Sequence, residues 1–101
     1  MMGLQKQVSP DSQSVTLQID GMFDLSLQAE FRASYEAEGK SCKYILDLRD
    51  TEYMDSAAFG MLLVFRDYAG GDKSDIYIKN ANEDIKKSFV MLQFDRMFNV
   101  E

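Results

Sequence analysis

Two kinds of hydrophobic spacing alternate along this chain, and the alternation limits its fold more than any other feature of the sequence. Residues 14–20, "SVTLQID", alternate strictly between apolar and polar side chains, which predicts a half-exposed β-strand. From residue 25 to about 38 the apolar residues instead recur every fourth position, which predicts an amphipathic helix ended by Gly39. The first part of the chain is therefore expected to form a strand followed by a helix.

The rest of the chain repeats this order. Residues 43–48 are short, branched and apolar, which predicts a buried strand, and residues 57 to about 69 predict a helix. A further strand at about 75–79 and a helix at 82–93 continue the pattern. Such an alternation is typical of an α/β layer structure.

The ends of these segments are less determined by the sequence. Pro10 indicates that the residues before about 12 form a lead-in or an edge strand rather than a central one. Asn80 or Asn82 can cap the last helix. The tail, residues 94–101, predicts either a last short strand or an apolar strap.

Length and composition indicate one domain over residues 1–101, because a chain of this size is too short for two independent cores. Eleven basic against seventeen acidic residues give a net charge of -6, which repels nucleic-acid backbones and anionic lipid surfaces. We therefore expect no direct nucleic-acid partner and no membrane binding. We also expect the free protein to be a monomer.

The chain contains no histidine and a single cysteine, Cys42. These counts exclude Ser-His-Asp hydrolysis, Cys-His proteolysis, histidine-ligated zinc sites and an internal disulfide. The first residues contain no apolar segment of signal-peptide length, and the longest apolar run, residues 57–65, is about half of what a membrane-spanning helix needs. We therefore expect a cytoplasmic protein.

The candidate functional site is the segment around Ser56, "TEYMDSAAFGMLLVF", because an acidic residue and a serine directly precede a long apolar run. The start of a helix presents backbone N–H groups without partners, so Asp55 and Ser56 can both supply capping oxygens. A nucleophilic serine would need a lysine as its base here, and the G-x-S-x-G motif is absent. These residues argue against an enzyme and leave a capping serine or a regulatory one.

Apolar side chains lie on both faces of the predicted helix. One stripe is wide enough to cover a sheet and consists of Ala58, Met61, Leu62, Phe65 and Ala69. Phe59 and Leu63 point the opposite way, so either the helix is sandwiched within the domain or these side chains form a patch that another protein covers. Gly60 favours the patch, because a glycine inside a helix costs about 0.5–1 kcal/mol and usually reflects close approach by another backbone.

A phosphate on Ser56 would lie at the positive end of the helix dipole, which favours it locally. Across an interface, the same group would add about 1.5–2 negative charges beside Asp55 and would have to be desolvated against an apolar surface. Ser56 is therefore a candidate phosphorylation switch.

Four acidic residues near Ser56 raise the question of a divalent metal site, because hard cations bind carboxylates. They are Asp47, Asp50, Glu52 and Asp55. Loop solvation and helix capping explain them more simply, and no glycine-rich phosphate loop is present. We expect no metal and no cofactor.

Residues 47–63, "DLRDTEYMDSAAFGMLL", resemble the strand, loop and phosphoacceptor helix of the STAS domains of anti-sigma-factor antagonists, which are bacterial partner-switch regulators. "DGMFD", residues 20–24, is similar to the turn after the second strand of that family. The order of elements matches over essentially the whole chain. The resemblance implies an α/β fold in which three or four helices pack on a mixed sheet of about four to five strands.

The resemblance implies that a cognate kinase phosphorylates Ser56 and that Asp24 and Asp55 lie at the docking site. With the apolar residues above, the expected partner-binding set is Asp24, Met54, Asp55, Ala57, Phe59, Gly60 and Leu63. In such systems the unphosphorylated antagonist binds an anti-sigma factor, commonly a serine kinase of the histidine-kinase-like ATPase fold, and the sigma factor is released. Phosphorylation breaks that complex, and a PP2C-type serine phosphatase restores it.

The sequence departs from the family pattern directly after Ser56. Many relatives carry a second Ser or Thr and then a Gly, where this chain has Ala57 and Ala58, and Phe59 replaces a smaller aliphatic residue. Ser56 is thus the only hydroxyl in the turn. Stand-alone STAS proteins also stabilise the ATPase of lipid ABC transporters, and in that alternative Ser56 would be an inert cap.

Overall fold

The computed structural model describes residues 3–39 and 42–101, and strands and helices alternate along them as the spacing predicts. The strands are β1 (Leu4–Val8), β2 (Ser14–Ile19), β3 (Gly21–Phe23), β4 (Lys43–Asp47), β5 (Thr51–Met54), β6 (Ile76–Lys79) and β7 (Asn99–Val100). The α-helices are α1 (Gln28–Glu36), α2 (Ser56–Tyr68) and α3 (Glu83–Met91). Short 3-10 helices lie at Leu25–Leu27, Gly71–Lys73 and Phe94–Arg96.

Five of the strands form one mixed sheet in the spatial order β1, β2, β4, β6, β7. The first pair is antiparallel, and the other three pairs are parallel. This confirms the expected mixed sheet of four to five strands with three helices. The strand β1, which precedes Pro10, lies at the edge of the sheet, which is one of the two alternatives that the proline allowed.

The helices cover one face of this sheet. Leu17, Leu46 and Ile78 form a cross-strand row of fully buried side chains, whereas the alternate residues of the same strands stay partly exposed. The buried row belongs to one hydrophobic cluster that includes Phe31 of α1, Phe65 of α2 and Phe89 of α3. The three helices therefore share a single side of the sheet.

Aromatic rings fill the space between α1, α2 and the sheet. Phe65 packs edge-on against Phe31 at 5.4 Å and against Tyr44 of β4 at 5.0 Å between ring centroids. Tyr35 lies 4.6 Å from the same Phe65 ring. Such aromatic contacts stabilise the fold by more than the burial of their apolar area alone. They also fix the position of α2 on the sheet.

A separate two-stranded parallel ribbon, β3 with β5, corrects the expectation of a turn at residues 20–24 and a loop at 51–55. The ribbon has a register shift between Gly21 and Met22, and each strand is too short to show a period of two. Thr51 is buried and donates its hydroxyl to the Ile19 carbonyl at 2.7 Å, which ties the ribbon to β2.

The structure also decides between the alternatives that the sequence left open for the cap of α3 and for the tail. Asn82 caps α3, because its Oδ1 accepts the N–H of Ile85 at 2.9 Å, while Asn80 donates to Asp47 instead. The tail forms the short strand β7 beside β6, and Phe94 and Phe98 are buried next to it, so the strand and the apolar contact coexist. Within the described residues, no helix is both long and apolar enough to cross a lipid bilayer.

Candidate functional site

Two strand-to-helix turns lie side by side where the ribbon ends. Phe23 is in register with Met54, and the N–H of Asp55 donates to the Phe23 carbonyl at 3.3 Å. Because the two strands are parallel, Asp24 and Asp55 follow them at neighbouring positions. The structure thus brings together the two aspartates that the sequence assigned to the docking site.

Both aspartates cap the helical segments that follow them. The Oδ1 of Asp55 accepts the N–H of Ala58 at 3.0 Å at the start of α2. The Oδ1 of Asp24 accepts the N–H of Ser26 at 3.0 Å and its hydroxyl at 2.6 Å. Each carboxylate satisfies backbone donors that the helix cannot satisfy itself.

Ser56 is the first residue of α2, and it is exposed. Of the two capping oxygens that the sequence offered, the carboxylate of Asp55 is the one used. Among the described residues, none hydrogen-bonds the Ser56 hydroxyl. The hydroxyl is therefore available to solvent.

The inner face of α2 is confirmed as core. Ala58, Met61, Leu62, Phe65 and Ala69 are all buried. Phe59, on the opposite side, is only partly exposed, because its ring packs edge-on against Phe89 at 5.6 Å and Phe94 at 5.5 Å. Leu63 remains 43% exposed. The expected outer patch is thus divided: Phe59 joins the edge of the core and Leu63 stays accessible.

Gly60 faces open space. A Cβ atom built on it would meet no heavy atom within 4 Å outside its own helix backbone and its chain neighbours. The close backbone approach that usually accounts for a helical glycine is therefore not provided by the described part of this chain. The helix keeps a notch at its exposed surface.

A groove of about 490 Å³ lies between α2 and α3, and we call it the α2/α3 groove. Its walls include Tyr53, Ser56, Phe59, Leu63, Met91 and Leu92. Met91 is 80% exposed, and Tyr53 and Leu92 are also exposed. Tyr53, Met91 and Leu92 are not among the partner-binding residues predicted from the sequence. The run of four apolar residues at the end of α3, Phe89 to Leu92, was the signal that could have found two of them.

A second depression, the α1/α2 groove, lies on the other side of the same helix and measures about 370 Å³. Its walls include Leu25, Ala57, Gly60 and Val64. Of the residues predicted from the sequence, five line the α2/α3 groove, namely Met54, Asp55, Phe59, Gly60 and Leu63. Ala57 lines the α1/α2 groove, Gly60 borders both grooves, and Asp24 lines neither. Met54 is buried at the end of β5 beneath the α2/α3 groove.

Three of the four acidic residues near Ser56, namely Asp47, Asp50 and Asp55, accept local hydrogen bonds. Asp47 accepts from the N–H of Arg49 and from Asn80, and Asp50 accepts from Gln18 at 2.8 Å. Over residues 3–39 and 42–101, no group of three or more potential metal ligands comes together. These carboxylates serve turns and caps.

Comparison with known proteins places this architecture in a family. The family model described as "Mlab, STAS domain" matches residues 7–99. The chain belongs to the STAS-domain family. This STAS domain is 38% identical over 93 residues to the "STAS-domain containing protein PA14_20770" of Pseudomonas aeruginosa (strain UCBPP-PA14), a match that covers 91% of this chain and 92% of that protein.

Solved structures of the anti-sigma factor antagonist SpoIIAA share the fold of this STAS domain. The unphosphorylated form superposes with a TM-score of 0.69 at 16% identity, covering 87% of this chain and 82% of that one. The phosphorylated form, from Bacillus, gives a TM-score of 0.67 at 13% identity, with 97% and 90% covered. At these identities the likeness shows the STAS fold alone.

Proposed function

We propose that this STAS domain is a phosphorylation-controlled antagonist of an anti-sigma factor. The unphosphorylated form binds a serine kinase of the histidine-kinase-like ATPase fold that serves as the anti-sigma factor. Phosphorylation of Ser56 ends that binding, and a PP2C-type serine phosphatase resets the protein. The domain itself acts by binding, as a regulatory component rather than as an enzyme.

One observation carries the proposal: an exposed serine with a free hydroxyl lies at the wall of an apolar groove, at the start of a helix. A kinase needs the hydroxyl to be accessible, and a partner needs exposed apolar area to bind. Ser56 meets the first requirement. Leu63 and its neighbours in the α2/α3 groove meet the second. The fold shared with SpoIIAA, an anti-sigma factor antagonist known in unphosphorylated and phosphorylated forms, gives the proposal its context.

The expected effect of the phosphate follows from its surroundings. Asp55 lies next to Ser56, and its carboxylate already accepts a hydrogen bond from the N–H of Ala58. A phosphate would add about 1.5–2 negative charges here, beside an existing negative charge. In the free protein, water solvates these charges. In a complex, an apolar surface would have to cover them, and the desolvation cost weakens binding.

Asp24 belongs to the same proposed surface, because it lies beside Asp55 at the end of the ribbon. Ala57 and Gly60 have small or absent side chains, which lets a partner approach the backbone of α2 closely. These residues, with Met54, Phe59 and Leu63, form the proposed partner-binding set.

The proposal is tested with the purified protein and the serine kinase encoded nearest to it in its genome. ATP is added, and the modified residue is mapped by mass spectrometry. We expect one phosphate on Ser56, no phosphate on Ser56→Ala, and removal of the phosphate by a PP2C-type phosphatase. Calorimetry should show binding of the kinase by the wild type and at least about tenfold weaker binding by Ser56→Asp.

Ser88→Ala is the matched control, because Ser88 also lines the α2/α3 groove but lies on α3. It should leave phosphorylation unchanged. Phosphate on another residue, or equal kinase binding by wild type and Ser56→Asp, would contradict the proposal.

A second candidate is a constitutive subunit that stabilises the ATPase of a lipid ABC transporter. The observation that favours it is the apolar character of the α2/α3 groove, since permanent interfaces are more hydrophobic than transient ones. In that case the partner would be the ATPase, and Ser56→Ala and Ser56→Asp would bind it equally well. The response to charge at Ser56 therefore separates the two candidates.

A further inference from the structure

We propose that the partner docks in the α2/α3 groove rather than the α1/α2 groove, and that it inserts an amphipathic helix bearing lysine or arginine beside its apolar stripe. This inference deepens the proposed function, because it names the part of the partner that the Ser56 site receives.

The position of Ser56 selects the groove. Its side chain lines the α2/α3 groove and does not line the α1/α2 groove. A phosphate on this residue therefore enters the first groove and can act directly on whatever is bound there. A partner in the other groove would feel it only through the helix.

The apolar area points to the same groove. Tyr53, Leu63, Met91 and Leu92 all line the α2/α3 groove, and each is more than 40% exposed. Met91 is the most exposed of them, at 80%. The α1/α2 groove has two such exposed apolar side chains, Leu25 and Val64, and a cationic one, Arg32. Exposed aromatic and methionine side chains at a concave surface are typical of a protein-binding site.

The acidic charge next to the groove indicates which charge the partner should carry. A smaller depression adjoins the α2/α3 groove and shares Tyr53, Met54, Phe59 and Ser88 with it. Glu52 and Asp84 line this depression, and both are exposed. Of the described residues that line these two depressions, none is a lysine or an arginine. Lys86 and Lys87 line a further depression that adjoins the groove at Met91, so the acidic charge lies at the Tyr53 end of the groove. A basic side chain on the partner would therefore meet complementary charge next to the apolar surface.

The shape favours a helix as the occupant. The groove runs between two helices, and on α2 it is lined from Ser56 to Leu63, which gives an axial length of about 12 Å. A helix of about two turns fits alongside such a length and can present apolar residues at spacings of three and four. The open notch at Gly60 would admit one of its larger side chains.

The experiment titrates the isotope-labelled protein with a synthetic 14-residue amphipathic peptide that has a leucine stripe and lysines on its polar face. A twin peptide carries glutamate in place of each lysine. In NMR spectra, the lysine peptide should shift the amide signals of Tyr53, Leu63, Met91 and Leu92 and leave those of Leu25 and Val64 unchanged. Its binding should weaken as salt is raised, because screening reduces the attraction to Glu52 and Asp84.

Met91→Ser should weaken binding of the lysine peptide by about fivefold or more, as loss of a central apolar contact does. Val90→Ser is the matched control. Val90 is 61% exposed on the same helix but lies outside the α2/α3 groove, so its replacement should leave the affinity within about twofold.

Four results would overturn the inference: shifts centred on Leu25 and Val64, equal binding of the glutamate twin, no binding of either peptide, or self-association of the protein through Met91 without peptide. None of them involves the kinase or the phosphate on Ser56. A failure here leaves the proposed function standing, and a failure of the kinase assay leaves the peptide result intact.

Discussion

Asp55 and Ala58 are joined by the hydrogen bond that starts α2, with the Asp55 Oδ1 accepting the Ala58 N–H at 3.0 Å. The carboxylate therefore caps the helix, at a position where aspartate and serine are about equally preferred. The neighbouring Ser56 hydroxyl takes no part in this capping. Asp55 therefore stabilises the start of α2, while the Ser56 hydroxyl stays accessible to solvent.

Replacing Asp55 by alanine should lower the free energy of unfolding by about 0.5–2 kcal/mol, because the first turn of α2 loses its cap. Ser56→Ala should change it by less than about 0.5 kcal/mol, since Ser56 is an exposed residue without a structural contact. Urea unfolding followed by circular dichroism measures both. Asp55→Asn is the control, because its amide oxygen can still accept the Ala58 N–H. A larger loss for Ser56→Ala than for Asp55→Ala would show that the serine is the cap.

Replacing Gly60 by alanine should raise the free energy of unfolding by about 0.5–1 kcal/mol, because alanine favours the helix and its Cβ meets no neighbouring atom. The same variant should bind the proposed partner kinase more weakly, since the added methyl fills the notch. Thermal unfolding and calorimetry give the two quantities. Gly70→Ala is the contrast: the φ of Gly70 is +123°, so an alanine there is strained and should destabilise the protein.

Thr51 should be sensitive to loss of its hydroxyl although it lies outside the groove. It is buried, and its Oγ1 donates to the Ile19 carbonyl at 2.7 Å. Thr51→Val keeps the shape and removes the donor, so the free energy of unfolding should fall by about 1–3 kcal/mol. Thr51→Ser keeps the donor and should recover part of that loss in the same urea experiment. A valine variant as stable as the wild type, with a loss only for serine, would assign the effect to packing of the methyl group instead.

Tyr44 should make the stability of the protein sensitive to alkaline pH. Its hydroxyl donates to the Tyr35 carbonyl at 3.0 Å and also contacts the Gly39 carbonyl, and desolvation by burial raises its pKa. The folded state therefore favours the protonated phenol. This contribution is fully present below the ordinary tyrosine pKa of about 10 and is lost as the pH rises further.

Tyr44→Phe tests this link. The variant should lose about 1–3 kcal/mol near neutral pH, because a buried carbonyl loses its donor. Between pH 9 and about 11.5 its stability should fall less steeply than that of the wild type. Tyr77→Phe is the control, since Tyr77 is a partly exposed tyrosine on the next strand, β6. Parallel pH curves for wild type and Tyr44→Phe would contradict the prediction.

The main sheet and the helices could be predicted because their side chains repeat over several residues. Val15, Leu17 and Ile19 alternate along β2, and Leu27, Phe31 and Tyr35 recur along the helical segment that ends at Glu36; all six are buried. Such repeats survive in a single sequence because one face must be apolar throughout.

The ribbon and the α3 side of the groove could not be predicted in the same way. β3 has three residues and β5 has four, which is too few for a period to appear. Met91 is the last residue of α3 and Leu92 directly follows it. The helical spacing predicts that Leu92 is buried with Ile85 and Phe89, whereas the structure shows Met91 and Leu92 exposed at a groove opposite α2. Sequence patterns report burial, whereas a docking surface consists of apolar residues that are left unburied.

The ribbon links two helices that the sequence treats as separate. Among the described strands, β3 and β5 pair only with each other, and their ends carry the caps of the 3-10 turn before α1 and of α2. The entrances of the two helices therefore rest on one small platform. A partner bound at the α2 entrance would therefore also lie close to the entrance of α1.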